Sequence, residues 1–448
     1  MATDIKAIKC PQCGSTQNTQ ISPGFFKCSN CGTEYFLDND TIVAGAARPS
    51  PPSSPPPAAG NKKAGCGFII ILAAILAFFG IVRLIVHYQS ASVVSNVESS
   101  EAYQDSVERE HYSGSTISSI VFARPGDEAQ PLLGVLSFRD YMNNQAKNGL
   151  YLSFYDILKQ KMLSAKQIDQ EESPRSTSMR RFSNGEIYVL VNSKRILLLD
   201  RNKLDLEDVS TAIFRNQPKL QSGMATVDFT GESQGDGFRL LTNDGMTLIY
   251  YPLVDQLYTQ NQFDDASDGF KSLLKNNREK VYFDFTTQGI DFPDDKLQLM
   301  KFRYKENVGG PVDRRYSFSW RRDYGRSGIF TDADPYTKVL VSKEDKDAFR
   351  IISFTDLTPG RLYFDPSVVL GDDQDLLITF KVNAAPDAAT SLQSLDVNTG
   401  AVKWTLSLPD RKPETVTRFS NGYVALWSDE LISIDTTGKT ISQYKFQK

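Results

Sequence analysis

Four of the chain's five cysteines stand in its first 31 residues, as KCPQCG (9–14) and KCSNCG (27–32). In each pair a Cys-x-x-Cys knuckle turns both sulfurs toward one point, and Gly14 and Gly32 relieve the tight turn that follows. Fourteen residues separate Cys13 from Cys28, enough for the two knuckles to meet. Cys10, Cys13, Cys28 and Cys31 therefore read as the four ligands of a closed tetrahedral thiolate site. Zn2+ held this way has no open coordination position, so its role is structural. A thioredoxin-like redox pair would need a βαβ setting that the sequence does not offer. A rubredoxin-type iron site has similar spacing and stays an alternative.

The elements that must position these sulfurs follow from the residues between them. TQNTQISPGFFKC reads as a strand, a Pro-Gly turn and a second strand, and TEYFL completes a small sheet. So small a core needs the metal to fold. Positions 8–36 resemble the zinc-ribbon family, whose members bind nucleic acid, bind proteins or cap larger assemblies. Lys27 is the single basic side chain on the hairpin, and Phe25, Phe26, Tyr35 and Phe36 read as its core. Protein binding is therefore the expectation. A membrane-tethered nucleic-acid regulator acting through the ribbon is the alternative, and it would show salt-sensitive binding.

Other chemistry is sparse. Two histidines, His87 and His111, are too few for most triad or metal-hydrolase sites, and no Walker, GxSxG or HExxH pattern occurs. DDASDG (264–269) places Ala266 and Lys275 where a calcium loop needs ligands. GDDQD (371–375) reads as a solvated turn. RRYSFSWRR (314–322) alternates basic and aromatic residues, as an anion site or as a strand with one wet face. The formal net charge is −4, which argues against a broad basic partner surface. The chain is expected to be no enzyme.

At 448 residues the chain needs more than one domain. The expected order is a zinc ribbon (1–40), a Pro-rich linker (41–64), a transmembrane helix (65–87), a polar stalk (88–116) and a large all-β domain (117–448). RPSPPSSPPPAAGNKK favours polyproline II and acts as a spacer. GCGFIIILAAILAFFGIV, residues 65–82, carries no charge and reaches spanning length with the LIV that follows Arg83. Arg48, Lys62 and Lys63 precede it, and residues 87–108 contain no Lys or Arg. The positive-inside rule then puts the N-terminus in the cytosol and the C-terminal domain outside it. Zinc thiolates suit a reducing compartment, and the outer part has no cysteine to mispair. The N-x-T sequon at Asn39 lies on the cytosolic side, which favours a bacterial inner membrane with a periplasmic domain. Cys66, beside Lys62 and Lys63 at the membrane edge, is placed where acylation occurs.

Beyond Ile117 short β-type runs alternate with turn residues, with one helix expected between Asp265 and Lys280. RFSNG occurs at 181–185 and again at 418–422, each time followed by strand, polar turn and strand. Such self-similarity points to a repeat architecture, and units of 40–50 residues give a β-propeller of about seven blades. Consecutive β-sandwiches are the rival. LDVNTGAVKW (395–404) resembles the repeat of quinoprotein-like (PQQ-like) β-propellers, with Asn398-Thr399-Gly400 as the hairpin and Trp404 packed between blades. The cysteine pair with which family enzymes bind the quinone is absent here, so the resemblance implies a non-enzymatic, protein-binding propeller, with a quinoprotein-like enzyme acting in the propeller channel as the lowest-ranked alternative. The expected molecule is thus a single-pass interaction, scaffold or signalling protein. Its ribbon engages a cytosolic partner, and its propeller binds a protein or envelope ligand.

Overall fold

The computed structural model describes residues 10, 15–22, 25–30, 34–37, 42–44, 112–170, 176–312, 317–325, 328, 330–331, 334–408 and 411–445. Two β structures occupy them. The first is an antiparallel four-stranded meander of Asn18–Ser22, Phe25–Cys28, Glu34–Leu37 and Ile42–Ala44. The first three strands match the hairpin and closing strand expected from the sequence. The fourth lies within the span assigned to the linker.

The second is a six-bladed β-propeller. Blade 1 contains Tyr112–Arg124, Asp127–Tyr141, Gly149–Asp156 and Lys161–Asp169. Blade 2 contains Ser178–Arg181, Ile187–Val191, Arg195–Asp200 and Asp205–Asp208, and blade 3 contains Met224–Phe229, Phe238–Thr242, Thr247–Tyr251 and Gln256–Tyr258. Blade 4 has three strands, Asn277–Phe285, Leu299–Asn307 and Ile351–Asp356, with a two-stranded insertion of Arg321–Asp323 and Thr337–Val339. Blade 5 is Phe364–Gly371, Leu376–Lys381, Thr390–Leu395 and Val402–Ser407, and blade 6 is Thr415–Phe419, Gly422–Leu426, Glu430–Asp435 and Thr440–Lys445. In every blade the strands pair antiparallel in chain order. First strands of neighbouring blades adjoin one another, as in blades 1 and 2, 4 and 5, and 5 and 6, and so lie innermost.

Blade 4 explains why the count is six and falls short of seven. Dividing the region by 40–50 residues assumes blades of equal length. Blade 4 instead runs from Asn277 to Asp356, because its insertion absorbs a blade's worth of chain. The first blade also begins at Tyr112, inside the span assigned to the stalk. The helix forms over Gln260–Ser267, ahead of the expected 265–280. Thr259 caps it by accepting from the Gln262 amide, and Gly269, at φ +69°, turns the chain away. Phe263 is its buried anchor; Phe270, expected on that helix, is exposed.

Middle strands pack a blade on each side, so both of their faces are apolar. IYVLV (187–191) and GYVAL (422–426) are buried at every position. Phe122, Leu136 and Leu152 of blade 1 meet Val189, Leu197 and Leu199 of blade 2. Phe283 and Phe285 of blade 4 meet Leu376, Ile378 and Phe380 of blade 5. Between blades 3 and 4 the backbone itself comes close: a Cβ on Gly309 would stand 2.5 Å from the Leu253 Cβ.

Third strands end on aspartate in blades 1, 2, 4 and 6, at Asp156, Asp200, Asp356 and Asp435, and Asp396 directly follows that of blade 5. Each carboxylate accepts backbone N–H bonds from the turn after it. At Asp396 the Thr399 amide, the Thr399 hydroxyl and the Asn398 amide together hold the carboxyl below its ordinary range. Such a group contributes stability above the unfolded carboxylate range, and the contribution is lost as pH falls through the depressed value.

Candidate functional site

The cysteine module is described only in part. Cys10 and Cys28 are both buried. The Cys10 amide donates to the Ser15 carbonyl at 2.8 Å, and Cys28 ends the second strand. Cys13 and Cys31 lie outside the described residues, as do His87, His111, Cys66 and the whole 65–87 segment. Among the described residues no cluster of three or more His, Cys, Asp or Glu is arranged to hold a metal. No described helix is long and apolar enough to cross a membrane.

The propeller offers a cleft of about 860 Å³ between blades 4 and 5, within the size range of ligand pockets. Its floor and one wall come from Asp284 to Gln288, at the end of blade 4's inner strand, and from Asp294 to Leu297. Leu362 to Val368, leading into blade 5, form the other wall, with Lys381, Asn383 and Ala384 at the margin.

Both walls are fixed from behind. The Thr287 amide donates to the Phe318 carbonyl at 2.8 Å, and the Arg322 amide donates to Asp291 at 2.8 Å. Lys338 pairs with Asp295 and stands 4.4 Å from the centre of the Phe292 ring. Trp320 donates to Gln298, which donates in turn to Asp356. The loop from Thr286 to Gln298 is thereby pinned to the insertion, and it holds Ile290 outward, 100% exposed. On the facing wall Lys412 pairs with Asp365 at 2.9 Å. The Tyr363 ring packs edge-on to Phe285 at 5.0 Å.

Asp284 differs from the other acids of the cleft. Asp295 and Asp365 have lysine partners and Asp294 is exposed, whereas Asp284 is half-buried and makes no ion pair among the described residues. It accepts one bond, from the Phe285 amide at 2.8 Å. Burial pushes its carboxyl above the ordinary Asp range, and that single bond draws it only partly back. Tyr363, only 3% exposed, also lines the cleft, and Thr358 and Arg361 stand against its hydroxyl. One half-buried polar group in the cleft, the Asp284 carboxyl, is thus left short of partners by the protein itself.

Segments singled out by sequence take structural places. In RRYSFSWRR, residues 314–316 lie outside the described residues; Phe318 is buried, Arg321 pairs with Asp345, and Arg322 lies 5.0 Å from the Tyr336 ring centre, so residues 318–322 brace the insertion. GDDQD is a turn closed by Asp372. It also joins blades, since Asp375 accepts from the Tyr423 hydroxyl at 2.6 Å and pairs with Arg418. DDASDG is the end of the helix and its exit turn. The cleft residues themselves escaped sequence reading. The one available signal was the pair of large apolar residues, Ile290 and Phe292, in the otherwise polar run TTQGIDFPDDK.

These sheets define the class of protein: a six-bladed β-propeller with a cleft between its fourth and fifth blades, preceded by a small N-terminal β meander. No family model matches the chain, and no curated protein matches it. The solved structure "YCF48 bound to D1 peptide" aligns with 76% of this chain and 97% of its own, at 9% identity and a TM-score of 0.21. A score that low carries no argument about function.

Proposed function

We propose that this chain is a membrane-anchored interaction protein whose extracytoplasmic propeller binds a protein partner, and whose cytosolic N-terminal module is a zinc ribbon. One observation carries the binding role. A fully exposed Ile290 sits on the loop between the cleft-lining Gln288 and Asp294, a loop that Asp291, Phe292 and Asp295 tie to the insertion. A rigid loop loses little entropy on docking, and an apolar anchor beside a cleft suits a protein surface. The full-length chain, purified in mild detergent, should retain a protein that an Ile290→Asp variant loses at equal expression. Identical retained proteins in both would refute the reading.

The ribbon reading rests on the two knuckles of the sequence and on the burial of Cys10 and Cys28. Buried thiolates gathered on one metal would supply the core that so short a meander lacks. Purified full-length chain should carry one zinc ion, and Cys10→Ser should abolish it. A chain that contains no zinc, or keeps it after that change, contradicts the assignment. The topology reading rests on the uncharged 65–82 run and its flanking lysines. Protease digestion of the N-terminus from outside intact cells would overturn it.

A further inference from the structure

We infer that the blade 4–5 cleft recognises a cationic side chain, lysine or arginine, presented by an extended segment of the protein partner, with Asp284 as its counter-ion. The inference rests on the protein-binding reading above and adds the chemistry of what enters. Charge is the first argument. Asp284, Asp294, Asp295 and Asp365 line the cleft against Lys296 and Lys381. Lys381 is turned to the Pro386 carbonyl at 2.8 Å, and Asp365 and Asp295 are already paired. Two carboxylates make no ion pair among the described residues, Asp294 and Asp284; Asp294 is exposed, whereas Asp284 is half-buried. A half-buried carboxylate without a counter-charge is unfavourable in the free protein, and a cation entering the cleft removes that deficit.

Shape and chemistry of the walls agree. Phe285, Tyr363 and Phe364 line the same cleft, aromatic surface suited to the alkyl stem and the flat face of a long basic side chain. An anionic or neutral segment would leave Asp284 unpaired and more deeply desolvated, so it is disfavoured.

Sign follows from the state of Asp284. Pairing needs the ionised carboxylate, and burial holds its pKa above the ordinary Asp value. Affinity should therefore fall on acidification while solvent-exposed aspartates are still charged. Cation uptake in that range should release protons.

The test uses the full-length chain and two capped pentapeptides, GFRFG and GFEFG, titrated by calorimetry or fluorescence anisotropy. GFRFG should bind and GFEFG should not. Asp284→Asn should weaken GFRFG at least about tenfold, whereas Asp294→Asn, at the exposed rim, should change it little. Asp284→Asn should melt no lower than the parent, since a residue kept for binding is not one the fold requires. If that variant fails to fold, the acid dependence of GFRFG binding by the unmodified chain decides. Absence of GFRFG binding, equal binding by Asp284→Asn, or affinity unchanged down to the ordinary Asp range would each overturn the inference. Loss of a retained partner with Ile290→Asp alongside such a failure would leave the protein-binding reading standing and remove only its cationic chemistry.

Discussion

Replacing Trp404 with alanine should destabilise the propeller by about 3–5 kcal/mol, the range for emptying a buried aromatic site. Trp404 lies on the outer strand of blade 5 and is nearly buried against blade 6. Its indole N–H donates to the Thr436 carbonyl at 3.0 Å, so removal leaves that carbonyl without this partner as well as opening a cavity. The fit is close: a Cβ on Gly438 would come within 2.7 Å of the indole ring. Gly438 also sits at φ +89°, a conformation that L side chains rarely adopt. Gly438→Ala should therefore cost about 1–3 kcal/mol by overpacking the same seam. Thermal melting of the two variants checks both expectations. A Trp404→Ala protein that melts with the parent would mean the seam does not depend on this side chain.

Leu133→Ala should cost about 2–5 kcal/mol and open the ring at one place. In the four-stranded blades all strands are consecutive in sequence, so among the described residues no strand from the C-terminal end pairs into blade 1. Closure between blades 6 and 1 rests instead on side chains. Val121, Leu133, Val135 and Ile157 of blade 1 meet Phe419, Val424, Leu426 and Leu431 of blade 6. The Ser420 amide adds one bond to the Glu128 carbonyl at 2.9 Å. Leu133 is fully buried at the middle of that seam. Hydrogen exchange should rise in Asp127–Tyr141 and Thr415–Phe419 more than in blades 2 and 3. Leu240→Ala, in the blade 2–3 seam, is the control: similar destabilisation, with protection lost there instead. Uniform loss of protection in both variants would show that the closing seam is no weaker than the rest.

Parts of this architecture were legible in the sequence because they recur. The two RFSNG copies end the inner strands of blades 2 and 6, and each puts its phenylalanine, Phe182 or Phe419, into a seam. Asn192 and Ser193, both at positive φ, form the hairpin tip expected after the first copy. Trp404 packs between blades as its position in LDVNTGAVKW implied. Blade number was not legible, since an insertion of irregular chain between Leu299–Asn307 and Ile351–Asp356 has no repeat to count. Periodicity also misplaced the helix. Phe270, Leu273 and Leu274 share a face only if the helix runs through Gly269, where the backbone turns. Asp284 and Ile290 carry no motif. Their meaning comes from an absent counter-ion and from a loop pinned by residues thirty to fifty positions away.

The central claim is that the propeller engages a protein at the blade 4–5 cleft, and in-cell photo-crosslinking tests it most directly. A photoreactive residue is placed at Ile290 or, as control, at Ile441, which is exposed on the outer strand of blade 6. The account predicts a discrete crosslinked protein from position 290 that is absent from position 441, with the attachment site in an extended segment next to a lysine or arginine. The same crosslinks from both positions, or none from 290 at native expression, would contradict it.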